Sequence, residues 1–207
     1  MFLVFEGIDG SGKSSQARLL EEYLRKNRSA RTLLVREPGG TPLGEKVREL
    51  ILHPGEEEIG PETELFLFMA ARAQLVRTKI QPALEAGRAV ISDRFLWSSV
   101  VYQGLSTGLL PQEILRMGRL AAPGISVTKT FLIDIDPEMA FRRVREPNRM
   151  EKRGIEFQRR VREGFLSLAE KFKNRVAVID GRGSQEAVHA RVVSHLPTHG
   201  WSRCSSP

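Results

Sequence analysis

The chain has one cysteine in 207 residues, Cys204, close to the last residue, so no internal disulfide can form. That usage fits a reducing cytoplasm. No run of about 18 apolar residues occurs, which leaves no candidate membrane span. The apolar run at 2–5 has no basic stretch before it and leads into Glu6 and a glycine loop. It reads as a first strand rather than a leader peptide. Blocks of five or six basic residues are missing as well, and basic positions do not interleave with aromatics. The 32 Lys and Arg against 25 Asp and Glu leave a formal charge of +7. Without a basic block, that excess suits a phosphate-rich small-molecule site better than nucleic acid. Internal repeats and low-complexity linkers are absent, so length and an ordinary composition predict one domain with a substantial core.

What is present alternates between two periods. Short apolar runs at 2–5, 32–35, 88–92, 128–135 and 175–179 read as strands. Helical spacing is expected over 13–26, 44–52, 61–86, 96–102, 111–121, 137–144, 155–172 and 184–196, with Pro82 starting a new segment. Five apolar strands separated by helices predict an α/β fold, a five-stranded parallel sheet with helices on both faces. Ligands in such sheets bind beyond the strand C-termini, at the loops holding 7–14, 37–41, 93–94 and 180–184.

The first of these loops, Gly7-Ile8-Asp9-Gly10-Ser11-Gly12-Lys13-Ser14, fits G-x-x-x-x-G-K-[ST] between an apolar strand and a helix. Successive backbone N–H groups there face one concavity at the positive end of a helix dipole. Lys13 is expected to reach the outer phosphates of ATP, and the Ser14 hydroxyl to ligate Mg²⁺. Asp93, closing the third strand, is the natural outer-sphere carboxylate partner of that Mg²⁺, the alternative being a turn or helix-cap aspartate. Arg94 beside it would sit unpaired near Lys13 unless a phosphate were bound.

Arg48, Arg72, Arg94, Arg149 and Arg153 form a dispersed set near the strand ends. Phosphoryl transfer between two anionic substrates needs such cations, since catalysis is positioning plus electrostatics. The charged stretch 142–153 reads either as a solvated surface or as a lid that closes on ATP and supplies arginines. In the apolar helix at 65–69, Phe66 and Phe68 lie on different faces. One is expected in the core, the other free to stack on a base.

These residues resemble the thymidylate kinase family. The matching runs are 5–16, Arg36-Glu37-Pro38-Gly39-Gly40-Thr41 through Glu45, 64–74, Ser92-Asp93-Arg94-Phe95, Tyr102-Gln103-Gly104 and Asp134 to Pro137. Asn148-Arg149-Met150-Glu151 completes them. The resemblance implies a P-loop kinase fold with a mobile lid at about 142–154, within one domain over 1–196, followed by a tail at 197–207. It implies phosphorylation of dTMP to dTDP with ATP and Mg²⁺ by a cytoplasmic homodimer. Asp9 would face the sugar 3′-hydroxyl, Arg48 and Arg94 would hold the dTMP phosphate, and Phe68 would stack on thymine. Arg72 would bond the base edge, while Tyr102 and Gln103 would close the pocket. Lys13 would bridge the phosphates, Arg149 and Arg153 would come from the lid, and Arg182 to Ser184 would lie near adenine.

Asn148 stands where the family commonly has Asp, Phe95 where Tyr is common, and Leu75 where His often follows. Positions 8–11 lack arginine, which resembles the branch whose catalytic cations come from the lid. Two alternatives remain at this level: another nucleoside or nucleoside-monophosphate kinase on the same scaffold, and a non-catalytic ATP switch.

Overall fold

A computed structural model of the chain describes residues 1–53, 55, 58–143 and 153–197. Five strands form one parallel sheet in the order β2-β3-β1-β4-β5. They are β1 (Phe2–Glu6), β2 (Thr32–Arg36), β3 (Ala89–Asp93), β4 (Lys129–Asp134) and β5 (Val176–Asp180). β1 lies at the centre, with all five residues buried. Its period of two explains the division of the core. Leu3 and Phe5 join Phe131, Ile133 and Ile179 beneath α1 (Lys13–Arg28) and α9 (Gln185–Ser194). Phe2 and Val4 turn the other way, toward Leu75, Ile80 and Phe95. Each such apolar side chain contributes about 2 kcal/mol of burial free energy.

That second face carries α3 (Pro61–Leu75), α5 (Leu96–Thr107) and α8 (Ile155–Lys171), with α6 (Pro111–Ala121) alongside α5. The expected segment at Pro82 is α4 (Gln81–Glu85), reached through a π-helical turn, Val76–Ile80. Gln81 N bonds Val76 O across this turn, just before Pro82 withdraws the next donor. α2 (Pro42–Leu52) begins two residues earlier than periodicity predicts. Thr41 caps it, accepting from Gly44 N at 2.9 Å, and Pro42 occupies the first turn. α5 extends five residues beyond the predicted 102 and ends at Gly108. α7 (Pro137–Phe141) is capped by Asp136. The predicted lid at 142–154 falls mostly outside the described residues, as does the tail from 198 onward.

Strand order reverses at β1, between β3 and β4. A crevice therefore opens at the C-terminal end of β1, where the loop 7–14 begins.

Candidate active site

Two glycines set the path of that loop. Gly7 has φ 143°, and a Cβ there would lie 2.6 Å from Ile133 O. Gly10 has φ 77°, and its Cβ would lie 2.3 Å from Ala140 O on α7. Gly12 forms the N-cap of α1 with no side-chain cap, so the first N–H groups of the helix face the loop. Ile8 turns its side chain into the core and presents its carbonyl to Lys13 Nζ at 3.2 Å. The Ser11 hydroxyl is buried with no hydrogen-bond partner among the described residues.

Arg94 is not the unpaired cation expected from sequence. Asp9 sits between it and Lys13, and the loop carboxylate had been given no such role. Arg94 Nη2 donates to Asp9 Oδ1, Lys13 Nζ lies 3.6 Å from the same oxygen, and the Tyr102 hydroxyl donates to Oδ2 at 3.1 Å. Burial opposes ionisation of Asp9, but the charges of Arg94 and then Lys13 outweigh it and hold its pKa at about 2. Burial, followed by the charge of Arg94, lowers the pKa of Lys13. The Tyr102 phenol is pushed up by burial and by Asp9. Asp9 is thus a half-buried carboxylate flanked by an arginine and a lysine.

Two cavities meet across the loop. One, of about 620 Å³, is lined by residues 10–16, Arg143, Gly181 and 183–185. The other, of about 590 Å³, is lined by Asp9, Arg48, Asp93 and Arg94. Gly10, Lys13 and Ser14 line both. The second cavity continues into a narrower recess walled by Pro38, Phe68, Tyr102 and Gln103, with Arg48 and Arg94 again at its edge. Arg48 is fixed there by donating to Pro38 O at 3.1 Å. Phe68 packs beside Val47 and Ile51 while facing the recess. Phe66, the alternative core residue, is instead 59% exposed. Gln103 Nε2 donates to buried Glu64 at 2.8 Å.

Arg72 lies behind this wall, 1% exposed. Its Nε and Nη2 both donate to Glu37 Oε2, and Nη2 also meets Phe95 O and Ser99 Oγ. Nη1 faces the Met69 sulfur at 3.3 Å, a weak acceptor. Arg72 lines neither the cavities nor the recess, so the expected contact with a base edge is not among those the structure brings together.

The expected metal residues fall together. Ser14 and Asp93 line the same cavity, and Asp93 Oδ1 is buried without a hydrogen-bond partner among the described residues. A hydroxyl and an orphaned carboxylate oxygen suit a hard cation such as Mg²⁺, which takes one or two protein oxygens and completes its shell with water and substrate phosphates.

Other expected residues are not brought to the loop. Arg153 stacks over Phe157 at 3.7 Å and donates to Ser106 Oγ on α5. The side chain of Arg182 pairs with Asp180 over a separate recess beside β4 and β5, while Gly181, Gly183 and Ser184 do line the loop cavity. Arg149 lies outside the described residues. The sequence reading missed Glu37, Glu64 and Arg143. An arginine on the buried face of an apolar helix demands a carboxylate, and that requirement could have singled out Glu37 in the second loop.

A strand, a glycine loop and an uncapped helix N-terminus, with cavities on either side of one buried lysine, make this a P-loop nucleotide kinase. The family model for thymidylate kinase matches residues 5–192. The chain is 46% identical to the thymidylate kinase of Kosmotoga olearia over 199 residues, 95% of each chain. It is 44% identical to that of Ruegeria pomeroyi, over 96% of this chain and 95% of the relative. The crystal structure of thymidylate kinase from Ehrlichia chaffeensis superposes with a TM-score of 0.75 at 35% identity, covering 94% of this chain and 97% of that one. The chain belongs to the thymidylate kinase family.

Proposed function

We propose that this protein transfers the terminal phosphoryl group of ATP to dTMP, giving dTDP, in the synthesis of dTTP. The observation that carries the reading is the pair of cavities sharing Gly10, Lys13 and Ser14. Two phosphate-bearing substrates entering from opposite sides would meet at Lys13.

ATP occupies the side lined by residues 10–16 and 183–185, its phosphates cradled by the N–H groups of the loop and α1. dTMP occupies the other side. Arg48 and Arg94 hold its phosphate, Phe68 stacks on the base, and Gln103 reads the base edge. Asp9 accepts from the 3′-hydroxyl, and the Tyr102 side of the pocket crowds a 2′-hydroxyl. The acceptor is already an anion, so no strong general base is needed. Lys13, Arg94 and the lid arginines Arg149 and Arg153 oppose the repulsion between the two substrates. Ser14 and Asp93 would hold Mg²⁺, which would supply further charge neutralisation of the phosphates. Gly181, Gly183 and Ser184 flank the adenine end.

Residues 1–196 act as one kinase domain, with 142–154 closing over ATP and 197–207 as a tail. The enzyme works as a cytoplasmic homodimer. Exposed Leu43 and Leu50 on α2, with Phe66 on α3, offer an apolar face for the second copy. Among the described residues, no helix is long and apolar enough to cross a membrane.

The test is a coupled ADP-release assay across the nucleoside monophosphates with ATP and Mg²⁺. The expected outcome is a kcat/KM for dTMP at least about 100-fold above that for UMP, since a mismatched hydroxyl in a dry polar pocket is costly. Comparable rates for UMP, CMP or GMP would overturn the assignment of the acceptor.

A further inference from the structure

Glu6 ends β1, is 1% exposed, and lines neither cavity. Its two oxygens do separate work. Oε1 accepts from Phe95 N at 3.0 Å and Ser98 N at 3.2 Å, capping the first turn of α5, whose N-cap residue offers no side-chain cap. Oε2 accepts from the Ser98 hydroxyl at 2.6 Å. That hydroxyl oxygen in turn accepts from Arg94 Nη1 at 2.8 Å. The same guanidinium continues to Gly7 O at 3.1 Å and to Asp9. A bonded path thus runs from the end of the central strand, through the first turn of α5, to a cation in the site.

The chemistry of the path fixes its direction. A guanidinium only donates, so the Ser98 lone pairs face Arg94 and its proton is left for Glu6. Arg94 needs such support. It is a non-glycine residue at φ 71°, a backbone region that long side chains rarely adopt. Its N–H is tied to Phe5 O and its carbonyl to Ser92 Oγ, while Glu6 pins Phe95, the next residue. A neutral serine or asparagine at the N-cap position itself would satisfy the first turn of α5 without a buried carboxylate. A buried carboxylate carries a desolvation cost that capping alone does not require. Burial drives the pKa of Glu6 up to about 7, partly offset by the Ser98 hydroxyl and by the charge of Arg94.

We propose that Glu6 is a positioning residue for the acceptor-phosphate clamp, fixing the Arg94 guanidinium against Gly7 and Asp9 through the Ser98 hydroxyl. The proposal rests on the reading of Arg94 as a holder of the dTMP phosphate.

The experiment measures KM for dTMP, KM for ATP, kcat and thermal midpoint for Glu6→Gln, Ser98→Ala and the double variant of the full chain. Each single change is expected to raise the KM for dTMP about tenfold, as loss of one oriented charge-assisted bond would, with the KM for ATP unchanged. Because both residues act through one path, the double variant should also stand near tenfold and not near 100-fold. Ser98→Thr, which keeps the hydroxyl, should behave as wild type. Unchanged KM for dTMP in the singles, or multiplying effects in the double, would overturn the proposal and leave Glu6 as a helix cap. Should Glu6→Gln fail to fold, Ser98→Ala decides alone, since it leaves the Oε1 cap intact. Arg94→Lys separates the two readings. If it leaves the KM for dTMP unchanged, the clamp itself is wrong; if it raises that KM while the Glu6 and Ser98 variants do not, only the positioning role fails.

Discussion

Arg72 on α3 and Glu37 in the loop after β2 form a buried ion pair in which one carboxylate oxygen takes both Nε and Nη2, at 2.8 and 2.7 Å. The other oxygen, Glu37 Oε1, has no hydrogen-bond partner among the described residues. Burial raises the pKa of Glu37 and the Arg72 charge opposes it. The pair ties the wall of the acceptor recess to the loop that also fixes Arg48.

Removing one member of a buried pair strands the other. Glu37→Gln is expected to cost about 3 kcal/mol or more in unfolding free energy, measured by urea titration. It should also raise the KM for dTMP, because Arg72 loses its orientation. A variant of wild-type stability and KM would show that the pair supports neither the fold nor the recess.

Lys13→Ala should leave the fold intact and cut turnover steeply. What the ammonium supplies is a phosphate contact, and little buried apolar surface is lost. Loss of one cation in a water-excluded phosphoryl-transfer site should raise the barrier by about 3 kcal/mol or more, roughly 100-fold in kcat. Circular dichroism and the coupled assay together check it. Near-normal kcat would remove the loop from catalysis.

Glu6 and Asp9 respond to pH in opposite senses. The folded pKa of Glu6, about 7, lies above its ordinary value of 4.5. The folded state binds more protons in that window, so the contribution of Glu6 is fully present below pH 4.5 and is lost as pH rises through 7. At 1.36 kcal/mol per unit the span is about 3 kcal/mol. Asp9 is depressed from 3.8 to about 2, and its contribution is lost only as pH falls through that lower window. Unfolding free energy measured between pH 4.5 and 7.5 should therefore decline less steeply in Glu6→Gln than in the wild type. Parallel curves would mean that Glu6 titrates normally.

The lid arginines can be told apart by kinetics. Arg153 is engaged with Ser106 and Phe157 on the α5 and α8 side. Arg149 is therefore expected to be the transition-state cation, and Arg149→Ala should lower kcat by roughly 10³-fold or more with the Kd for dTMP nearly unchanged. Arg153→Ala should have the smaller effect on the chemical step. Single-turnover rates in the reverse order would transfer the role to Arg153, and two normal rates would make 142–153 a solvated surface.

The strands and the loop at 7–14 were legible because each rests on local pattern: a short apolar run, a glycine signature, a helix behind it. Element ends were less so. The start of α2 turns on the Thr41 cap, and the length of α5 depends on contacts that a predicted loop at 104–111 does not reveal. Within the site, side chains that face a cavity could be proposed from motif positions, as with Arg48 and Arg94. The groups that hold them could not. Glu6, Glu37 and Glu64 read in sequence as ordinary acidic residues, and only the packing of α3 and α5 against β1 buries them. Arg94 misled for the same reason, since its partner Asp9 is 85 positions away.

Gly10 sits beneath α7 with Ala140 O where its Cβ would be. A protein that tried to acquire an arginine at this position of the loop would find it closed. The change requires a left-handed backbone from a bulky residue and displacement of the helix that leads into 142–154. No single substitution supplies both. The absence of arginine at position 10 is thus built into the packing there, and placing a cation at that position would demand that α7 be rebuilt first.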